Sequence, residues 1–128
     1  MTIVLPVIAV VDDEAPVRTM LQRVLRLGDY QVMTFESGEA FLSSLDQQLP
    51  ACAVVDIHMP NLSGLDVQMR LQALSRDVPV VFITASDDPA LDALVRDAHG
   101  VALLRKPFRS DELLATVDAA LGRRKRDD

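Results

Sequence analysis

Five short apolar runs recur along the chain, and each is followed by a segment with helical periodicity. The runs are VIAVV (7–11), QVMTF (31–35), ACAVV (51–55), VPVVFIT (78–84) and GVALL (100–104). Several are continuous in Val and Ile rather than alternating with polar residues, the pattern of strands covered on both faces. Strand and helix in strict alternation predict a parallel sheet, because a parallel neighbour can be reached only through a crossover that packs back onto the sheet. Five strands are too few for a β/α barrel, so the expected fold is an open, doubly wound α/β sheet.

The segments between the runs have helix starts and stops. From Glu14 to Leu27 the residues Val17, Met20, Leu21, Val24 and Leu25 recur at three- and four-residue spacing, and Gly28 is the expected stop. Pro16 falls in that helix's first turn, where a missing N–H is harmless. Ser37 is the expected cap of a second helix with Phe41, Leu42 and Leu45 inward. A third helix is expected from about Gly64 to Leu74. In SDDPALDALVRDA, Asp88 is the expected N-cap and Pro89 the first helical residue, with Leu91, Leu94, Val95 and Ala98 on one face. Ser110 opens the last helix, which carries Asp111 and Glu112 in its first turn and should bury Leu113, Leu114, Val117 and Leu121.

The 128 residues suffice for one domain with a real core. A net charge of −6, few aromatics and no Trp argue against nucleic acid as a direct partner of this domain. No apolar run approaches the ~20 residues of a membrane helix, and the apolar start lacks a basic segment and a cleavage site, so no signal peptide is expected. The single cysteine, Cys52, excludes an internal disulfide and fits a reducing, cytoplasmic setting. It lies in an apolar run and is expected to be a small core residue. GRRKRDD at 122–128 is expected to be a charged tail or the stub of a linker after a domain spanning 1–121.

Open α/β sheets bind ligands outside the carboxyl ends of their strands. The first strand ends in Asp12, Asp13 and Glu14; the third in Asp56; the fourth in Thr84, Ala85 and Ser86; the fifth in Arg105, Lys106 and Pro107. Three acids at one sheet edge repel one another unless a cation joins them. Hard oxygen donors of this kind suit Mg²⁺ (or Mn²⁺), which keeps several waters and is held by one or two carboxylates and phosphate oxygens. A carboxylate is also a competent nucleophile towards phosphorus, giving an aspartyl phosphate. Lys106 would offset the charge of a phosphoryl group and Thr84 would hydrogen-bond one of its oxygens.

The set VVDDE (10–14), VVDIHMPNLSG (54–64), VFITAS (81–86) and LLRKPF (103–108) resembles the receiver domain of bacterial two-component response regulators, in particular those of nitrogen-fixation and nodulation regulators. The resemblance covers essentially the whole chain. It implies a flavodoxin-like (βα)5 fold with strand order 2-1-3-4-5. It makes Asp56 the phosphoacceptor, served by a phosphohistidine on a sensor histidine kinase. It makes Asp12 and Asp13 the acidic pair that binds the metal with Asp56 and the backbone carbonyl of His58. Thr84 matches the switch hydroxyl, Lys106 the lysine that contacts the phosphoryl group, and the backbone N–H groups of His58 and Ala85 would help hold its oxygens. The Lys106–Pro107 bond is expected to be cis. The resemblance also implies a switching surface on the fourth helix, fifth strand and fifth helix. That surface would act on an output domain, a downstream protein or a phosphorylation-dependent homodimer. No enzymatic activity beyond self-phosphorylation and self-dephosphorylation is expected.

Leu103 departs from the residue the family often has there, Tyr or Phe. The side chains of His58 and Ser86 occupy variable positions expected to tune the lifetime of the phosphoryl group. Three other readings compete. The leucine allows an interaction module that works without phosphorylation. A haloacid-dehalogenase-type aspartyl-phosphate hydrolase would instead want Asp-x-Asp after the first strand, where this chain has Asp12-Asp13. A flavin-binding domain on the same fold would want a Ser/Thr/Gly-rich phosphate loop where this chain has DDEAP. His58 as a transition-metal ligand, His99 as more than a helix-end residue and Met59 as more than a loop residue packed beside Pro60 are the weaker alternatives.

Overall fold

A computed structural model describes residues 4–123. Five parallel strands, β1 (Val7–Val11), β2 (Gln31–Phe35), β3 (Cys52–Asp56), β4 (Val80–Thr84) and β5 (Ala102–Arg105), form one sheet in the order β2-β1-β3-β4-β5. The intervening helices are α1 (Ala15–Leu27), α2 (Gly38–Ser44), α3 (Gly64–Ala73), α4 (Ala90–Asp97) and α5 (Ser110–Ala120). The doubly wound α/β fold and the strand order expected from the sequence are both present.

Burial follows strand position. Of the three inner strands, β3 and β4 are buried at every residue and β1 at all but Val7, whereas the edge strands β2 and β5 are mostly half-exposed. Alternate residues feed two cores. One face gathers Ala9, Val11, Val55, Phe82, Phe41, Val67, Leu71 and Val95, under α2, α3 and α4. The other gathers Ile8, Val10, Val54, Ile83, Leu21, Leu25, Leu113 and Val117, under α1 and α5. Cys52 lies in this second core and is fully buried.

Several local expectations need correction. Met20 and Leu94 fall on the helical stripes but are 40% and 48% exposed, because neighbouring helices cover only part of each stripe. Helix α4 begins at Ala90 rather than Pro89, yet Asp88 still satisfies a free helix donor: its Oδ1 accepts from the Ala90 N–H at 2.9 Å. Helix α5 opens at Ser110 as expected; Arg109 holds the cap position and donates its N–H to Glu112 at 3.3 Å. Helix α1 does stop at Gly28, but the left-handed residue is Asp29, with φ 67°. Ser37 caps α2 as expected, accepting from the Ala40 N–H at 3.1 Å. Of the charged tail, Gly122 and Arg123 are described, with Arg123 4.7 Å over the Tyr30 ring; residues 124–128 lie outside the described part.

Candidate functional site

The chain runs from β1 to β2 on one side and from β2 across to β3 on the other, so the winding reverses between β1 and β3. In such sheets this is the crevice where ligands bind. The register brings the site's acids there. Val11 pairs with Val55, and the next step along both strands sets Asp12 beside Asp56. Both are buried, whereas Asp13 is exposed at the mouth. Carboxylate oxygens of the three lie within 4.8 Å of one another.

Each buried carboxylate has one oxygen fixed by backbone. Asp12 Oδ1 accepts from the Glu14 N–H at 2.8 Å, so the turn into α1 is closed by Asp12 rather than by Asp13. Asp56 Oδ1 accepts from the His58 N–H at 3.1 Å. The other oxygens face Lys106, whose Nζ lies 3.6 Å from Asp12 Oδ2 and 3.8 Å from Asp56 Oδ2. Asp12 Oδ2 is buried and takes no hydrogen bond among the described residues. A buried carboxylate oxygen left this way is costly unless something positive completes it. One ammonium facing three carboxylates does not neutralise them, so the donor set suits a hard divalent cation and can hold one. Burial pushes the Asp56 carboxyl up to about 6; the His58 N–H bond opposes this, Asp12 adds to it, Lys106 opposes it and Asp13 adds to it.

Thr84 is the last residue of β4 and is fully buried. Its Oγ1 accepts from the Ser86 N–H at 3.1 Å, and its carbonyl accepts from the Lys106 N–H at 2.7 Å, so β4 holds Lys106 at the same edge. The Lys106–Pro107 bond is cis, as expected. Ser86 turns its hydroxyl into its own loop, where Oγ accepts from the Asp88 N–H at 3.1 Å. Leu103 is partly buried and packs against the core under α2–α4. The structure therefore brings Asp12, Asp13, Asp56 and Lys106 together, with Thr84 and Ala85 on the adjoining strand end.

Gly64 is a site-building residue that the sequence marked only as a helix start. Its N–H donates to the Ile57 carbonyl at 2.9 Å, and a Cβ at this position would meet the Asp56 carbonyl oxygen at 2.5 Å. Only a residue without a side chain lets α3 begin this close to the end of β3. Asn61, at φ 68°, turns the chain between them, and Ser63 and Asp66 close a reciprocal capping box on α3.

A five-stranded parallel sheet with acids at the β1/β3 reversal and a lysine after β5 defines a class of doubly wound α/β domains with a charged site at the sheet edge. The family model for the response regulator receiver domain matches residues 8–118, and the chain belongs to that family, the receivers of two-component systems. It is 35% identical over 115 residues to the response regulator protein TodT of Pseudomonas putida, covering 90% of this chain and 51% of TodT. It is 36% identical over 117 residues to nodulation protein W of Bradyrhizobium diazoefficiens, covering 91% of this chain and 52% of that protein. The chain thus spans about half the length of these relatives. The crystal structure of FixJ-N superposes with a TM-score of 0.87 at 27% identity, covering 97% of this chain and 99% of that one.

Proposed function

We propose that this receiver accepts a phosphoryl group on Asp56 from the phosphohistidine of a sensor histidine kinase, in a reaction that depends on Mg²⁺ or Mn²⁺. The observation that carries the reading is the convergence of three carboxylates and Lys106 around Asp12 Oδ2, a buried acceptor with no hydrogen bond of its own among the described residues. Asp12, Asp13, Asp56 and the His58 carbonyl would hold the ion. When bound, the cation supplies positive charge that offsets the carboxylates and the incoming phosphoryl oxygens.

The remaining work falls to the chain. An Asp56 carboxylate oxygen forms a bond to phosphorus while the phosphorus–nitrogen bond of the donor breaks, and the departing imidazole takes up a proton. A carboxyl that titrates near 6 is mostly ionised at neutral pH and so ready to attack. Lys106 stays within reach of the charge that accumulates, the Thr84 hydroxyl donates to one phosphoryl oxygen, and the N–H groups of His58 and Ala85 serve the others. The phosphorylated domain then shifts between two conformations of its α4–β5–α5 surface, which acts on an output domain or a partner, including a second copy of the chain. The domain works in the cytoplasm and is not an enzyme acting on a separate substrate. Among the described residues no helix is long and apolar enough to cross a membrane.

Acetyl phosphate with Mg²⁺ should add one phosphoryl group to the intact chain by mass spectrometry. Neither the Asp56→Asn variant nor the wild type in excess chelator should gain it. Modification persisting in Asp56→Asn would remove Asp56 from the role. A phosphorylation-independent module, suggested by Leu103, predicts no modification in any of these samples.

A further inference from the structure

The β4–α4 loop is tied to β5 by one side chain. Arg105, the last residue of β5, donates from Nε to the Ser86 carbonyl at 3.2 Å and from one terminal nitrogen to the Asp88 carbonyl at 2.8 Å. The same guanidinium makes a two-pronged pair with the Asp92 carboxylate in the first turn of α4, at 3.2 and 3.1 Å. Lysine, with a point charge, cannot span these acceptors in one plane. The loop held in this way reaches the site through Ser86, which also donates its N–H to Thr84 Oγ1.

Two consequences follow. While Ser86 is held, the Thr84 hydroxyl oxygen is engaged within its own loop, and any approach of that hydroxyl towards a group on Asp56 has to break or carry along the Ser86 bond. Moving Ser86 in turn strains the four Arg105 bonds. Leu103 and Arg105 alternate onto the same sheet face, the one covered by α4, so Arg105 sits one step nearer the carboxyl edge than Leu103.

We propose that Arg105 is a positioning residue that holds the β4–α4 loop and Thr84 in the resting arrangement, and so opposes binding and retention of a phosphoryl group at Asp56. This rests on the phosphoacceptor reading above. The expected size is modest, since the pair with Asp92 is partly exposed: a two-pronged charged contact plus two carbonyl bonds should shift a two-state equilibrium by about three- to tenfold.

The test is equilibrium binding of beryllofluoride, a phosphoryl mimic, in the presence of Mg²⁺, compared among wild type, Arg105→Ala, Arg105→Lys and Asp92→Asn. The expected result is tighter binding by about three- to tenfold in Arg105→Ala, a smaller gain in Asp92→Asn, and no restoration of wild-type affinity by lysine. Exchange of the Ser86 amide with solvent, measured by NMR without the mimic, should be faster in Arg105→Ala. Affinity unchanged or weakened in both Arg105→Ala and Asp92→Asn overturns the proposal while leaving Asp56 as the acceptor. A wild type that fails to bind the mimic overturns the phosphoacceptor reading itself. Asp92→Asn keeps the test open if Arg105→Ala does not fold.

Discussion

Asp56 is held in conflict. Burial and the neighbouring acids favour its neutral form, and only the His58 N–H and Lys106 favour the charge, with the net result that its carboxyl titrates near 6. An acid whose folded value lies above its unfolded value of about 3.9 keeps its proton longer in the folded state. In the metal-free protein the site therefore favours folding below about pH 4, and that advantage is lost as pH rises through about 6. At neutral pH the charged Asp56 then costs the fold at most about 3 kcal/mol, less whatever solvent at the mouth of the site screens. Asp56→Asn, in chelator, should be more stable than wild type by about 1–3 kcal/mol at pH 7.5 in urea titrations. The gap should close towards pH 4. A variant less stable than wild type at both pH values would show that the carboxylate is stabilised where it sits. Cys52 gives the opposite kind of case, a group with no work to do. Burial pushes its thiol up to about 12. Iodoacetamide at pH 8 should leave the native thiol essentially unmodified over hours and alkylate it within minutes in urea; rapid alkylation of the native protein would contradict the buried position.

Among the elements, the join between β3 and α3 matters most, because there the fold sets the position of Asp56, the proposed phosphoacceptor. Gly64→Ala would drive a methyl group against the Asp56 carbonyl oxygen and the Ile57 Cα, backbone atoms that cannot swing aside. The expected cost is about 2–4 kcal/mol in unfolding free energy, together with a drop in phosphorylation by acetyl phosphate larger than the fraction unfolded accounts for. Gly38→Ala is the useful comparison. Its Cβ would meet Val67 Cγ2 at 2.6 Å and Leu62 Cβ at 3.2 Å, side-chain atoms rather than the Asp56 backbone, so it should lose stability with a smaller separate loss of phosphorylation than Gly64→Ala. Equal effects of the two on phosphorylation would mean that Gly64 has only a packing role. The contrast also separates what was legible in the sequence from what was not. Ser37, Pro16 and the apolar runs act within a few residues of themselves, so the five strands and helices could be read directly. Gly64 and Arg105 act on atoms that sequence alone does not bring near: the β3 backbone in one case, the Ser86 and Asp88 carbonyls in the other. Met20 and Leu94 fall between these cases, since periodicity gives the stripe but not how much of it a neighbour covers. The acids and Lys106 were legible because strand ends in a parallel sheet share one edge by topology, whatever the side-chain details.

Over the whole molecule, the proposed cation site would make folding and cation binding one equilibrium. An ion that binds the folded site and not the unfolded chain stabilises by RT ln(1 + [L]/Kd), about 2.7 kcal/mol at a hundredfold excess over Kd. For a domain of this size that corresponds to a rise of roughly 8–12 °C in the thermal midpoint. Wild type should show this rise with Mg²⁺ concentration. Asp12→Asn should show little of it, because it removes the charge of the buried carboxylate whose Oδ2 has no hydrogen bond among the described residues. Asp56→Asn should start higher than wild type in chelator, since one charge is gone from the crowded edge, and should gain less from the ion. The wild-type and Asp56→Asn midpoints should therefore approach one another, or cross, as Mg²⁺ is added. Equal rises in all three proteins would assign the effect to the exposed acids of a chain with net charge −6 and not to the site. The crossing has a functional meaning. On the proposed function, the repulsion that destabilises the empty edge is what would make an added cation, and then a phosphoryl group neutralised by it and by Lys106, favourable there. On the proposed function, the domain gives up some metal-free stability at the β1/β3 edge, and binding at that edge would restore it.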